Sequence, residues 1–131
     1  MIAVDTNILV RFLVNDDHKQ ARRAKALVDR LDDAEARAFV SDIVLCEIVW
    51  VLGSCYGFDR VQIALALKKL VGARQLRFDA NDQILRAISA YESSKGDFAD
   101  YLIREHATAA GCDSIVTFDK SLHGDSGFVS P

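Results

Sequence analysis

The sequence is poor in the residues that break a chain or crosslink it. It contains one Pro and seven Gly in 131 residues, which argues against long disordered linkers. Its three cysteines, Cys46, Cys55 and Cys112, are an odd count without CxxC spacing. We therefore expect reduced thiols in a cytoplasmic protein, each packed as a small buried hydrophobic side chain.

Long apolar segments are also missing. No basic segment followed by an apolar run opens the chain, so we expect no signal peptide. The longest apolar run, 39–56, contains Asp42 and Glu47 and is too short and too charged to cross a bilayer. A chain of this length predicts one domain over residues 1–131, which folds without disulfides or a structural metal.

The chain has no excess of positive charge: 16 Lys and Arg stand against 19 Asp and Glu, which gives a formal net charge of −3. This is an argument against nucleic-acid binding, which usually requires a basic surface. If many of the acidic residues are gathered in one site, however, the net charge does not represent the charge of the remaining surface. Clustered basic residues can then form local basic patches. The residues available for such patches, or for an ordinary solvated helix surface, are Arg22, Arg23, Lys25, Lys68, Lys69, Arg74 and Arg77.

Short apolar runs alternate with segments of helical periodicity along the whole chain. The runs predict strands near 2–4, 38–40, 75–78, 114–118 and 127–129. The periodic segments predict helices near 7–13, 17–31, 43–55, 59–71, 81–93 and 97–110. This order predicts an α/β fold with a central parallel sheet of four or five short strands flanked by helices. Right-handed crossovers place the carboxyl ends of such strands at one edge, where ligands bind.

Two of the predicted strands are followed by aspartate. Asp5 comes after Ile2-Ala3-Val4, and Asp119 comes after the 115–118 segment. In one parallel sheet both side chains emerge at the same edge and can approach each other. Each aspartate alone has an ordinary explanation as a strand-end or helix-capping residue.

Glu47 lies within a helical stripe of apolar residues. Ile43, Val44, Ile48 and Val51 share its predicted face, so we expect the carboxylate to point toward apolar surroundings. Such burial is costly unless the carboxylate is paired or binds a metal. A salt bridge to an arginine is the alternative explanation.

Asp97 and Asp100 open the sixth predicted helix, three residues apart. Asp100 shares a helical face with Ile103 and Ala107 and is expected to point inward. Asp97 stands where an N-cap belongs, in a pattern similar to a capping box. Asp100 is therefore the better functional candidate, and Asp97 is either a cap or an additional ligand.

Carboxylates brought this close together require a counter-charge, because like charges raise each other's pKa. An all-oxygen cluster suits Mg²⁺ or Mn²⁺ and not Zn²⁺, and such an ion can assist phosphodiester hydrolysis. No Ser or Cys nucleophile with a His-Asp partner is evident. The three histidines, His18, His106 and His123, are scattered and are expected at the surface.

Four segments resemble, in order and spacing, the motifs of PIN domains, specifically the VapC-type toxins of bacterial toxin–antitoxin pairs. The resemblance covers essentially the whole chain, and the four segments are 1–13, 40–52, 97–103 and 116–120. It implies a parallel sheet between helices and cleavage of RNA with Mg²⁺ or Mn²⁺. One departure is Leu122, where the family often has an aromatic residue, and the 123–127 stretch is also short.

The resemblance also assigns roles to individual residues. It implies that the motif acids are Asp5, Glu47, Asp100 and Asp119, and that Asp97 matches an extra acid found in part of the family. Polar residues that would support the site are Thr6, Asn7 and Thr117, the last by a hydrogen bond to a carboxylate or to metal-bound water. The resemblance further implies a homodimer and a cognate antitoxin whose C-terminal segment covers the active site.

Three other functions are alternatives to a ribonuclease. A receiver-like module phosphorylated on aspartate would need adjacent acids after the first strand, and a dehalogenase-type phosphatase would need DxDxT. The sequence after the first strand is Asp5-Thr6-Asn7, which matches neither. A catalytically silent dimeric interaction module is the remaining alternative, with a face near Trp50 and the 63–70 helix, although the acids are intact at every motif position.

Overall fold

The computed structural model describes all 131 residues and divides them into two compact units, Met1–Asp79 and Ala80–Pro131. The first unit holds three strands and four helices. In chain order these are β1 (Ile2–Ala3), α1 (Thr6–Leu13), α2 (His18–Asp33), β2 (Ala38–Phe39), α3 (Asp42–Tyr56), α4 (Arg60–Val71) and β3 (Leu76–Arg77).

The three strands of the first unit form a parallel sheet in the order β1-β2-β3. Ile2 pairs with Ala38, and Ala38 pairs with Leu76. Each strand has only two residues. Because the strands are parallel, the chain leaves β1 and β2 at the same edge of the sheet, and α1 and α3 both begin there. This edge is the one at which the sequence predicts a ligand site.

Side chains close in sequence determine where the helices of this unit begin and end. The sequence predicts Asp16 or Asp17 as the cap of α2, Ser41 or Asp42 as the cap of α3, and Asp59 at the start of α4. In the structure Asp17, Ser41 and Asp59 accept the hydrogen bonds from backbone N–H groups in these first turns. Gly57 ends α3 with a φ of 67°, a left-handed conformation that glycine adopts without a steric penalty.

The second unit consists of α5 (Asn81–Ser93), α6 (Phe98–Ala109), β4 (Ile115–Val116), a short 3-10 helix (Lys120–Leu122) and β5 (Phe128–Val129). The helices α5 and α6 pack against each other. The strands β4 and β5 form a parallel pair in which Ile115 faces Phe128. The predicted set of six helices and short parallel strands is therefore confirmed.

The strand pairing differs from the expectation of one central sheet of four or five strands. Hydrogen bonds join three strands in the first unit and two in the second. The individual strands are near their predicted positions, but each is shorter than predicted. Short apolar runs in the sequence indicate strands without indicating which strand pairs with which.

A buried tyrosine organises the second unit. The Tyr101 hydroxyl accepts a hydrogen bond from the backbone N–H of Gly96 (2.9 Å) and donates one to Asp125 Oδ2 (2.6 Å). Its ring meets that of Phe128 edge-on, with centroids 6.3 Å apart. Leu122 is only 2% exposed. An aliphatic side chain therefore fills this part of the core.

Several expected burials are wrong. Cys55 and Cys112 are exposed and Cys46 is half-buried, although all three are unpaired thiols as expected. The apolar spacing of α5 predicts that Leu85 faces inward, but this residue is 44% exposed. The spacing identifies a helix but leaves the limits of its buried face open.

No helix combines the length and the apolar character that crossing a membrane requires.

Candidate active site

Asp5 is the N-cap of α1 and lies at the carboxyl end of β1. Its Oδ1 accepts a hydrogen bond of 2.7 Å from the backbone N–H of Thr6. A carboxylate is favourable at this position because the helix N-terminus carries unpaired N–H groups and a partial positive charge. The side chain is exposed, so the cap fixes one oxygen and leaves the carboxylate accessible.

Thr6 connects Asp5 to Glu47. The Thr6 side chain is almost fully buried, with 8% of the residue exposed, and its hydroxyl donates a hydrogen bond of 2.5 Å to Glu47 Oε2. The contact joins the first turn of α1 to α3, which pack against each other. Thr6, predicted as a supporting residue, thus orients a predicted catalytic acid.

The predicted orientation of Glu47 is wrong. The buried face of α3 consists of Leu45, Ile48 and Leu52, whereas Glu47 is exposed and Ile43 is 71% exposed. The helix has apolar residues on nearly every side, so hydrophobic spacing alone does not identify the inward face. Glu47 remains a candidate because of its hydrogen bond to Thr6. Since Glu47 is exposed, its carboxylate carries no burial cost that a metal would have to offset. It forms no salt bridge.

Asn7, the other predicted supporting residue of this unit, is exposed in the first turn of α1. Its side chain makes no hydrogen bond to Asp5 or Glu47. It lines a groove between α1 and α2 instead.

Asp97 and Asp100 stand at the start of α6 in the second unit. Asp97 occupies the predicted N-cap position, and its backbone N–H donates a hydrogen bond of 3.0 Å to Asp100 Oδ2. The buried face of α6 consists of Phe98, Tyr101 and Leu102. Asp100 is half-buried, so its predicted inward orientation is only partly correct.

Ile103 and Ala107 were expected to share the buried face with Asp100. Ile103 is 55% exposed, and Ala107 is half-buried. The face shifts because two aromatic side chains, Phe98 and Tyr101, fill the core of this unit and set which side of α6 faces inward.

The surroundings of Asp100 disfavour its negative charge. Partial burial raises the pKa of the Asp100 carboxyl, and the negative charges of Asp97 and Asp119 raise it further, while a hydrogen bond from the Asp97 backbone opposes the shift. Asp97 and Asp119 therefore both act electrostatically on the Asp100 carboxyl, as like charges near a titratable group do. A bound cation would relieve this repulsion.

Asp119 follows β4 and is held by its own turn. Its Oδ1 accepts hydrogen bonds from the Ser121 hydroxyl (2.6 Å) and the Ser121 backbone N–H (3.0 Å). These bonds, with the positive charge of His123, hold the pKa of Asp119 below its usual range. The sequence analysis missed Ser121, although an Asp-x-Ser spacing in a turn is a signal for such a contact.

Thr117 supports Asp119 in a different way from the one expected. Its hydroxyl oxygen accepts a hydrogen bond of 3.0 Å from the Asp119 backbone N–H, so it positions the main chain and does not contact the carboxylate. The carbonyl oxygen of Thr117 is 2.8 Å from His123 Nε2. Both contacts anchor the end of β4.

The four motif acids share one arrangement. Asp5, Glu47, Asp100 and Asp119 each have one carboxylate oxygen held by hydrogen bonds from the protein. The other oxygen of each has no hydrogen-bond partner in the structure. Each acid is therefore fixed in orientation and still has an acceptor available for a ligand.

The donor set is suited to a hard divalent cation. All the candidate ligands are carboxylate oxygens, which Mg²⁺ and Mn²⁺ prefer. The chemistry of these donors therefore fits a hard divalent metal ion. As placed in the structure, no group of three or more His, Cys, Asp or Glu side chains is arranged to hold a metal ion.

A comparison with known proteins identifies the family. The family model for the PIN domain matches residues 2–124, which is most of the chain. A comparison with curated proteins finds no match. PIN domains are generally metal-dependent nucleases. All four motif acids and their neighbours fall within the matched range. The chain belongs to the PIN domain family.

Proposed function

We propose that this protein is a metal-dependent endoribonuclease whose active site consists of Asp5, Glu47, Asp100 and Asp119. The observation that carries the proposal is the shared arrangement of these acids, each with one oxygen anchored and one available. Residues 1–131 would act as one PIN-like domain, because the family match extends across both units.

Asp5, Asp100 and Asp119 would hold the cation, with Asp97 as an additional ligand. When bound, Mg²⁺ or Mn²⁺ supplies an activated water and stabilises negative charge at the scissile phosphate. Two contributions come from contacts within the protein itself. Thr6 orients the Glu47 carboxylate, which positions the cation or accepts a proton through its second oxygen. Ser121 fixes Asp119.

The test is RNA cleavage by the purified protein with Mg²⁺, with Mn²⁺ and with EDTA, mapped to single nucleotides. We expect cleavage only with metal, and a loss of at least a hundredfold in the double variant Asp5→Asn, Asp100→Asn. A matched control is Asp33→Asn, Asp113→Asn, which removes the same charge from two exposed acids outside the site. Cleavage that persists in EDTA or in the site variant contradicts the proposal.

We also propose that the protein is a cytoplasmic toxin neutralised by a cognate antitoxin. This rests on the resemblance of the four motif segments to VapC-type toxins. Expression of the intact chain is expected to arrest growth, whereas the Asp5→Asn, Asp100→Asn variant is not. Growth that is equally unaffected by both proteins, at equal levels of expression, rules out the toxin role and leaves the nuclease activity open to the cleavage assay.

A homodimer is a further part of the proposal. Four large apolar side chains on the packed pair α3 and α4 are exposed, namely Ile43 (71%), Trp50 (66%), Val61 (53%) and Leu65 (59%). Exposed apolar surface of this kind favours self-association. Sedimentation is expected to show a dimer that Trp50→Gln, Leu65→Gln converts to a monomer, while Ile103→Gln, at another exposed apolar position, does not. A monomeric wild-type protein contradicts the dimer.

A further inference from the structure

A groove of about 570 Å³ lies between α1 and α2 in the first unit. Three guanidinium groups line it, from Arg11, Arg23 and Arg30. Apolar side chains that include Ile8 and Leu27 provide the rest of its wall. The groove therefore combines positive charge with an apolar surface.

The charge of the groove contrasts with that of the protein. No acidic residue lines it, although the chain as a whole carries a net charge of −3. Arg23 and Arg30 are exposed, and their guanidinium groups have no hydrogen-bond or ion-pair partner in the structure. Arg11 is held in place by Asp16 (2.9 Å) and Gln20 (2.7 Å). An anionic ligand thus meets two uncommitted guanidinium groups and a third that is already oriented.

A second cavity in the same unit shows that this charge pattern is not general. That cavity, of about 450 Å³, is lined by Asp32 and Glu35 as well as by Arg37 and Arg74. Arg74 is paired with Asp32 at 2.7 Å, so the positive charge is balanced within the cavity. The groove between α1 and α2 is the one whose charge remains unbalanced.

The groove begins beside the candidate active site. Asn7, which lines it, follows Asp5 by two residues in the first turn of α1. From there the groove extends along α2, where Arg23 and Arg30 are separated by about 10 Å of helix axis. A linear polyanion lying in the groove would therefore lead toward Asp5.

We propose that this groove binds the sugar–phosphate backbone of a single-stranded RNA segment adjacent to the cleaved one. The inference rests on the proposed ribonuclease function and names the residues that hold its substrate. An acidic active site repels a polyanion, so the substrate needs a separate cationic surface. Arginine suits this role because its planar fork matches phosphate geometry, and Ile8 and Leu27 offer an apolar surface to unstacked bases.

The test is the binding of a fluorescein-labelled single-stranded RNA, measured by anisotropy in EDTA to prevent cleavage. The groove variant is Arg23→Gln, Arg30→Gln. The control is Lys19→Gln, Arg22→Gln, which removes the same charge from the same helix at exposed residues that do not line the groove. Thermal melting verifies that both variants fold.

We expect the groove variant to bind RNA at least tenfold more weakly, and the control to change binding by less than twofold. The slope of log K against log salt is negative, and each lost phosphate contact makes it less steep by about 0.7 for a single strand. The slope of the groove variant should therefore be less steep than that of the wild type by about 1.4. Equal effects of the two variants overturn the proposal, because they indicate net charge alone.

A polyglutamate peptide tests the other occupant, an acidic protein segment. If the wild-type protein binds this peptide as tightly as RNA, and the groove variant loses both, the assignment to RNA is overturned. Cleavage assays with Mg²⁺ separate this inference from the proposed function. If the wild-type protein binds RNA through the groove but does not cleave it, only the proposed nuclease activity is contradicted. If the wild-type protein cleaves RNA and the groove variant binds RNA as tightly as the wild type, only the proposed role of the groove is contradicted.

Discussion

The Thr6 hydroxyl donates a hydrogen bond of 2.5 Å to Glu47 Oε2, so a residue next to the first motif acid orients the second. The two residues are 41 positions apart in the sequence. The bond forms because β1 and β2 are parallel neighbours, which brings the starts of α1 and α3 to one edge of the sheet.

Removing this donor should impair catalysis more than folding. Thr6→Val keeps the shape of the side chain and deletes the hydroxyl, so Glu47 loses its orienting contact. We expect RNA cleavage to fall roughly ten- to a hundredfold, since misplacing a catalytic group is costly. Thr6→Ser retains the donor and should keep most of the activity.

A double-mutant cycle with Glu47→Gln tests the pair directly. If Thr6 acts through Glu47, the two substitutions together should cost little more than Glu47→Gln alone. Additive effects on the cleavage rate would show that the two residues act independently.

Asp100→Asn should stabilise the fold while it inactivates the enzyme. The pKa of Asp100 is raised in the folded protein, by burial and by Asp97 and Asp119, so its ionised form is less favourable there than in the unfolded chain. The carboxylate thus costs stability at pH values above its folded pKa, and this cost disappears as the group becomes protonated.

Thermal melting in EDTA at pH 7 is expected to show a Tm for Asp100→Asn a few degrees above that of the wild type. Below a pH of about 3 the difference should vanish, because the carboxyl is protonated in both states. Asp113→Asn, at an exposed acid outside the site, should leave the Tm nearly unchanged. A lower Tm for Asp100→Asn at pH 7 would contradict the repulsion inferred here.

Divalent metal should stabilise the wild-type protein through the motif acids. Ligand present at a hundredfold excess over its Kd stabilises a fold by about 2.7 kcal/mol. We expect Mg²⁺ and Mn²⁺ to raise the Tm relative to EDTA, and Asp119→Asn to reduce that increase. Asp113→Asn should retain it. An identical Tm with metal and with EDTA would indicate that the carboxylates do not bind the ion in the free protein.

Gly96→Ala should destabilise the second unit. A Cβ at this position would lie 2.6 Å from Leu122 Cδ2 and 2.8 Å from the Tyr101 hydroxyl. Both neighbours are buried, so we expect a loss of about 1–3 kcal/mol in the free energy of unfolding. Urea denaturation measures this loss. Gly124→Ala, where nothing lies within 4 Å of the added Cβ, should change stability much less.

The sequence alone determined the helices and their boundaries to a large degree. Asp17, Ser41 and Asp59 cap helices at the predicted starts, and Gly57 ends α3 in the left-handed conformation. These features are predictable because a cap acts on backbone groups within three residues of itself. The sequence also predicts the candidate acids, by strand-end position and by resemblance to the PIN domain family, and the comparison confirms the family.

The tertiary structure decided which way the helices face and which side chains meet. In α3 the buried residues are Leu45, Ile48 and Leu52, and Glu47 is exposed, because an apolar sequence on all sides of a helix leaves its orientation to its packing partners. The bond between Thr6 and Glu47 likewise depends on strand pairing between distant segments.

The groove beside Asp5 shows the same division. Arg23 was a candidate for a basic patch from sequence, whereas Arg11 and Arg30 were not. Packing of α1 against α2 lines one groove with all three. Local sequence thus determined where each helix begins and ends, because capping is a short-range interaction. Only the fold decided which charges share a surface, because that depends on contacts between residues far apart in the chain.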